Sequence, residues 1–383
     1  MDFQLPEHTR AIKALVRRLA TEHGIPLERK LLSGEHVTDE DQERLTKAAA
    51  DVGLWGLNLS KEDGGAELST LDNVVVTEEN YRTLVPIEFG GDPLILQACE
   101  GEQRKRFLEP VLRGERRIAF AQTEPSGGSD PGNQMRTTAV RDGDDWVLNG
   151  SKVFITDVDR ASFIVVMAVT DTGKRQRGGV SAFIVEKGTP GFEVVRQIPV
   201  LRAAPHDIGY RQFELLFTDC RVPHAQLLGN AGEGFTLAQK FLGNVRLNMG
   251  TRGIGIADRC LDMMKTYAKQ RVLFGEPLAE KQAIQSMIVD SWIDVHTSRL
   301  VAYEAATKND AGLDIRMEAA LVKLMGTEMV ARVVDRAIQI HGGYGVTTEL
   351  PFAFWYSRIR QMRIVDGPSE VHKYQVLGRA LVR

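Results

Sequence analysis

Cysteine is scarce in this chain. Its 383 residues hold three, Cys99, Cys220 and Cys260, with no CxxC pair among them. That leaves no disulfide framework and no zinc site to build on, and it fits a reducing compartment. Long apolar runs are missing as well: the longest, Phe163–Val169, falls far short of the roughly 20 residues that cross a bilayer. The N-terminus MDFQLPEHTR lacks the apolar core of a signal peptide, so a cytoplasmic protein without a membrane partner is expected. No excess of one charge exists either. Against 51 acidic residues stand 48 basic ones, a net −3, which gives no electrostatic basis for nucleic acid. The dinucleotide fingerprint GxGxxG is absent too: Gly232-Glu233-Gly234 runs on to Leu237 where a glycine is required. His341 has neither an HExxH context nor a second histidine at metal spacing, so it reads as a packed side chain and no metal is expected.

What the chain does hold is ordinary globular material, 43% hydrophobic and 26% charged, long enough for two or three packed domains. Its first third has helical periodicity, with a capping-box signal at Thr38 and Asp41 ahead of Leu45, Ala48, Ala49 and Val52. From about Phe120 the period shortens. Asp142-Gly143 and Asn149-Gly150 punctuate short apolar runs and predict hairpin turns, hence an antiparallel sheet rather than βαβ units. After Gly234 helical spacing returns near 235–270, 281–308, 315–341 and 369–381, enough for a bundle. The expectation is an α+β fold: an N-terminal helical domain (1–118), a middle antiparallel β-barrel or sandwich (119–231) and a C-terminal four-helix bundle (232–383).

Four segments carry chemistry beyond fold. Thr123–Asp130, TEPSGGSD, sets two glycines between hydroxyls, so the backbone can bend and approach a ligand. Phe154 and Thr156 share one strand face, where an aromatic and a hydroxyl could take the face and edge of a flat ring; burial of Phe154 in the core is the competing reading. QIHGGYGVTTELP, 339–351, ends a helix in glycines. Asp366, in VDGPSEVH, sits on a stiff Gly-Pro loop, where a turn aspartate is the usual explanation and Ser369 would cap the next helix.

Taken together and in this order, TEPxxGSD, NGxKxxIT, RxxFG, QxxGGxG and an acid–glycine loop resemble the acyl-CoA dehydrogenase family over essentially the whole chain. The segment from Asp366 to His372 looks most like that of family members ten and eleven and related bacterial enzymes. The resemblance implies FAD held without a Rossmann domain. It places Gln122 and Thr123 at the isoalloxazine edge, Ser129 at the pyrophosphate, and Phe154 and Thr156 against the ring. Arg271, Phe274, Gln339 and Gly343 would reach a partner subunit's FAD, and Arg246 and Gly367 would serve the acyl-CoA.

The same resemblance makes Asp366 the catalytic base. It would abstract the α-proton of an acyl-CoA thioester while the β-carbon passes a hydride to flavin N5. Electron-transfer flavoprotein would be the acceptor, in a homo-oligomer that is commonly a dimer of dimers, and fatty acid metabolism the setting. This chain departs from the family pattern in several places. Its acid is aspartate rather than the commoner glutamate, and Val245 fills the other position from which relatives supply a base. Pro368 and Glu370 replace a threonine and a glutamine, and Gln122 and Asn133 are also unusual. Two alternatives remain: a flavin oxidase on the same scaffold, of the acyl-CoA oxidase or nitroalkane oxidase kind, and a silent CoA- or FAD-binding scaffold.

Overall fold

The computed structural model describes residues 4–90, 94–201 and 211–382. Four helices come first, α1 (Glu7–Leu19), α2 (Ile25–Leu32), α3 (Asp39–Ala50) and α4 (Thr70–Asn80). Short helices α5 (Gly101–Gln103) and α6 (Glu109–Leu112) precede β1 (Ile118–Ala121), and α7 (Pro131–Gln134) follows it. The strands β2 (Thr138–Asp142), β3 (Asp145–Thr156), β4 (Phe163–Val169), β5 (Val180–Glu186), β6 (Phe192–Ile198), β7 (Gln212–Pro223) and β8 (Leu227–Leu228) come next. Then α8 (Gly234–Gln270), the two-residue strands β9 (Val272–Leu273) and β10 (Glu276–Pro277), α9 (Gln282–Asp310), α10 (Arg316–His341) and α11 (Phe352–Met362) lead to α12 (Ser369–Val371) and α13 (Arg379–Val382). Two compact units result. Residues 4–89 and 243–382 belong to one, and 94–200 with 211–242 to the other.

In the helical unit one core joins the first helices to the last. Val16, Leu45 and Val74 share a single buried cluster with Ile254, Val330 and Trp355. The capping box forms as the sequence predicts, with Asp41 N donating to Thr38 Oγ1 (3.2 Å) and Thr38 N to Asp41 Oδ2 (3.0 Å). Buried carboxylates tie α4 to its neighbours: Glu78 accepts from Arg299 Nε (2.9 Å) and Tyr303 Oη (2.9 Å), and Glu79 from two nitrogens of Arg17 (2.7 and 2.9 Å). Such ions can sit in a core because each is paired and hydrogen-bonded. Two features depart from the periodicity reading. α11 lies outside the predicted segments, although Phe352, Phe354, Trp355, Ile359 and Met362 give it a buried face. The terminal helix expected over 369–381 forms and runs continuously from α12 to α13, but its middle, His372–Gly378, takes π-helical spacing.

Glycine sets how closely α8 and α10 approach. A Cβ on Gly250 would lie 2.2 Å from the Val322 carbonyl oxygen, one on Gly326 2.3 Å from that of Gly250, and one on Gly253 2.6 Å from that of Gly326. The two backbones are thus in van der Waals contact, which a side chain would prevent.

The sheet unit has strand order β6-β7-β3-β2-β4-β5-β8, with β1 added alongside β4. Most pairs are antiparallel; β1 and β2 meet β4 in parallel. β4 and β5 are almost wholly buried, and Leu148, Ile164, Val166, Phe183, Leu215 and Phe217 lie in the core. Asp142-Gly143 makes the expected hairpin turn, closing on the Asp142–Asp145 pair. Asn149-Gly150 does not turn the chain. It forms a bulge inside β3, where Asp219 N donates to Asn149 Oδ1 (2.8 Å) and a Cβ on Gly150 would strike Thr137 at 2.5–2.8 Å. A second bulge between Lys152 and Ile155 changes which face each residue meets. Before it Trp146 and Leu148 point inward; after it Ile155 does, and Phe154 and Thr156 face out.

Gly326→Ala is expected to destabilise the protein by about 1–3 kcal/mol through overpacking, although alanine is the better helix former by about 1 kcal/mol. Denaturant unfolding of the variant against the parent measures this. A more stable variant would show that the two backbones do not meet as described.

Candidate active site

The Asp366 loop is built from short-range bonds. Beyond α11, the N–H groups of Ile364 (2.8 Å) and Val365 (3.1 Å) donate to the Gln361 carbonyl, and Ser369 N closes the loop on the Arg363 carbonyl (3.2 Å). Between these ties the chain turns left-handed twice, with φ 55° at Asp366 and 100° at Gly367. Aspartate tolerates that region better than most side chains, and glycine pays nothing for it. A Cβ on Gly367 would also come within 3.1 Å of His372 Nε2 beneath it. Ser369 is not the helix cap: Pro368 holds that position, and the Ser369 hydroxyl donates to Glu328 Oε1 (2.6 Å), which Arg363 Nε shares (2.8 Å).

Three cations surround this half-buried acid. Arg246, on α8, donates from Nε to the Asp366 carbonyl oxygen (3.2 Å). Lys323, on α10 and wholly buried, donates from Nζ to the Gly367 carbonyl (2.7 Å). Arg252, six residues along α8 from Arg246, sets its guanidinium 4.8 Å from the Tyr81 ring centre and acts on Asp366 electrostatically. Burial pushes the Asp366 carboxyl above its ordinary value, against the pull of Arg252, Lys323 and Arg246. Burial in turn lowers Lys323 to about 8 and brings Arg246 below its usual value. His372, fully buried, is lowered to about 4 by burial and by Lys323 and Arg246, and is therefore neutral near pH 7.

Of the residues that sequence reasoning singled out, Arg246, Asp366 and Gly367 meet here. Lys323, Arg252 and His372 were missed. Lys323 had a readable signal: it is the one charged side chain in the apolar row Ala319, Lys323, Gly326, Val330, Val333, Ala337, Ile340 of α10. Arg252 had none, and His372 stood in the quoted VDGPSEVH segment without being given a role.

In the sheet unit another ion pair links two motifs. Lys152, in NGSKVFIT, is fully buried and donates to Glu124 Oε1 (2.7 Å) and to the Gln122 carbonyl (3.2 Å). Glu124, in TEPSGGSD, also accepts from the N–H groups of Arg136 (2.6 Å) and Thr137 (3.0 Å), and Val153 N donates to the Thr123 carbonyl (2.9 Å). Burial alone would raise the Glu124 carboxyl; Lys152 and those donors hold it below its usual value, while burial takes Lys152 down to about 8. The segment 122–124 is thus pinned to β3. Beside it Phe154 is 55% exposed with φ 59°, a strained backbone for a bulky residue, so the reading of Phe154 as a core side chain fails. Thr156 is exposed and accepts from Gln212 Nε2 (3.1 Å). Ser129 is exposed, and Thr123 half-buried.

In the helical unit Arg271, Gln339 and Gly343 are exposed. Phe274, at the tip between β9 and β10, is 96% exposed with φ 55°. His341 is a packed residue, stacked on Tyr267 at 4.3 Å with Nδ1 2.8 Å from the Ala337 carbonyl oxygen.

Three family models match in succession: acyl-CoA dehydrogenase N-terminal domain over 6–115, middle domain over 119–216 and C-terminal domain over 232–381. The chain belongs to the acyl-CoA dehydrogenase family. It is an FAD-dependent oxidoreductase of acyl-CoA thioesters. Among its relatives, (R)-benzylsuccinyl-CoA dehydrogenase of Thauera aromatica is 34% identical across 100% of this chain and 97% of its own length. The caffeyl-CoA reductase-Etf complex subunit CarC of Acetobacterium woodii is 32% identical over 98% of each. The solved structure of butyryl-CoA dehydrogenase from Megasphaera elsdenii aligns over 100% of both chains with a TM-score of 0.85 and 29% identity.

The residues of the sheet unit fit a flavin. Gln122 Oε1 is buried without a hydrogen-bond partner among the described residues, and it lies just past β1 in the segment pinned by Lys152. An orphaned acceptor of this kind costs about 1–3 kcal/mol until a donor reaches it. The exposed, strained Phe154 offers a flat apolar surface on the same strand that carries the Thr156 hydroxyl.

Lys152→Met is expected to cost about 3–5 kcal/mol in denaturant unfolding, because it strands a buried carboxylate. The double variant Lys152→Met, Glu124→Leu should recover part of that loss; a loss that simply adds would mean the two groups do not act as a pair.

Proposed function

We propose that Asp366 is the base of an acyl-CoA dehydrogenation. The carrying observation is a carboxyl desolvated enough to be a stronger base than a surface aspartate, on a loop whose backbone is fixed in a left-handed turn. Asp366 takes the α-proton of the thioester as the Cα–H bond breaks, and those electrons become the new Cα=Cβ bond. When bound, FAD accepts the β-hydrogen with its electron pair. Negative charge that develops on the thioester oxygen calls for donors, and the backbone N–H groups of Asp366 and Gly367 and the Arg246 guanidinium are candidates. Val245 carries no proton-accepting group, so position 245 supplies no second base.

Gln122, Thr123, Ser129, Phe154 and Thr156 are proposed to hold the flavin of their own chain. The outward set Arg271, Phe274, Gln339 and Gly343 suits the FAD of a partner subunit, which supports a dimer or a dimer of dimers. A bulky aromatic at positive φ and almost fully exposed, such as Phe274, is costly in an isolated chain and becomes reasonable when a neighbour covers it. Electron-transfer flavoprotein is the proposed acceptor, as the name of the Acetobacterium relative suggests. That name also supports the reverse reaction, in which Asp366, protonated, returns the proton to the α-carbon of an unsaturated thioester.

Asp366→Asn should retain FAD and lose anaerobic bleaching of the flavin by saturated acyl-CoA esters, by about 10²–10⁴-fold in rate. Bleaching at the parent rate would remove Asp366 from the chemistry. In the parent, turnover should be supported by electron-transfer flavoprotein or an artificial acceptor, with little peroxide formed in air. Rapid peroxide production in air would instead make the protein an oxidase.

A further inference from the structure

Lys323 is an anomaly for a bundle helix. Its side chain is wholly buried inside the apolar row of α10. Burying an ammonium is costly without partners, and its one hydrogen bond among the described residues goes not to a carboxylate but to a loop carbonyl, that of Gly367, at 2.7 Å. The neighbouring carbonyl, of Asp366, is held by Arg246 Nε at 3.2 Å. Two successive carbonyls of a left-handed turn, with φ 55° and 100°, are therefore each fixed by a cation from a different helix. A backbone conformation that costs about 1–3 kcal/mol persists only where its surroundings over-determine it. The glycine contacts between α8 and α10 bring the two cations to the same loop.

We propose that Lys323 is a positioning residue for Asp366: its ammonium pins the Gly367 carbonyl, so the carboxylate is held in its reactive place, and its charge keeps that carboxylate ionised. The proposal rests on the reading of Asp366 as the base. Among the described residues the charged and titratable groups around the pair are few. Asp366 meets Arg246 and Arg252 from α8 and Lys323 from α10. Lys323 meets Asp366, Arg246 from α8, Glu328 on its own helix and Glu370 on α12. His372 lies against the same loop and is neutral, so it adds no charge near pH 7. Glu328 is engaged by Arg363 and Ser369, and Glu370 is exposed, so Asp366 is the counter-charge that acts most strongly on Lys323.

The direction of the effect follows. A nearby cation favours the ionised carboxylate and lowers its pKa; removing the cation lets burial raise that pKa further. A base is active only when deprotonated. The acidic limb of the kcat/KM profile should therefore move to higher pH in Lys323→Met, by about one unit. At a fixed pH near that limb kcat should fall about tenfold or more, with KM for the acyl-CoA ester changed much less and bound FAD retained. A purely structural role for Lys323 would lower stability or flavin content without moving the limb. Should Lys323→Met fail to accumulate with FAD bound, Lys323→Gln, uncharged but still hydrogen-bonding, is the second variant, and it should show the same shift. An acidic limb at the parent position in whichever variant loads FAD overturns the proposal. Asp366→Asn, measured beside it, separates the two ideas. Loss of bleaching in Asp366→Asn with an unmoved limb in the lysine variant discards the role of Lys323 alone, whereas retained bleaching in Asp366→Asn discards the base and the inference with it.

Discussion

The helical site depends on one constraint: a two-residue left-handed turn must hold a carboxylate at a fixed point. Aspartate has little reach of its own, so its backbone has to supply the placement. The chain does this with hydrogen bonds that close the loop over a few residues and with two cations that seize consecutive carbonyls. Those cations stand on separate helices, and they converge because glycine at 250, 253 and 326 lets α8 and α10 touch along their backbones. Helix packing, loop conformation and carboxyl basicity are therefore one problem at this site. A change in helix spacing reaches the acid through the ammonium and the guanidinium before it reaches it through the core.

The sheet unit solves a related problem with another buried lysine. Lys152 and Lys323 are both removed from water, and both sit near 8 for that reason. Lys152 has a carboxylate of its own, Glu124, and the pair binds a glycine-rich turn to a strand. Lys323 has a carbonyl as its hydrogen-bond partner and, among the described residues, feels the charge of Asp366 more than that of Glu328 or Glu370. The first arrangement is a closed ion pair suited to stiffening the 122–124 segment against β3. The second leaves part of its field available to the acid it faces. Bulges in β3 complete the edge by turning Phe154 and Thr156 outward at a strained φ.

Much of this was legible in the sequence. Helical spacing at both ends and short strands between them gave the α+β class, because burial on one helix face or one sheet face leaves a periodic trace. The capping box at Thr38 appeared as written, and His341 proved to be a packed ring. The misreadings have local causes. Asn149-Gly150 looked like a turn because its dihedral tolerance suits one, but the same tolerance suits a bulge, and the choice was made by Asp219 and Thr137 from distant parts of the unit. Ser369 looked like a cap, yet Glu328, forty-one residues earlier, takes its hydroxyl. α11 escaped notice because its aromatic residues follow a proline and glycine-rich stretch that read as loop.

By itself the sequence determined the order of helical and strand segments, the lack of CxxC, HExxH and GxGxxG motifs, and the family to which the motifs point. Those are properties of spacing and composition, which a linear chain displays directly. The tertiary structure decided which charges meet Asp366, why position 367 must lack a side chain, and how Lys152 came to serve the turn at 122–124. These depend on residues far apart in the chain, and on burial, which sets the energy of a charge only once the fold has removed the water around it.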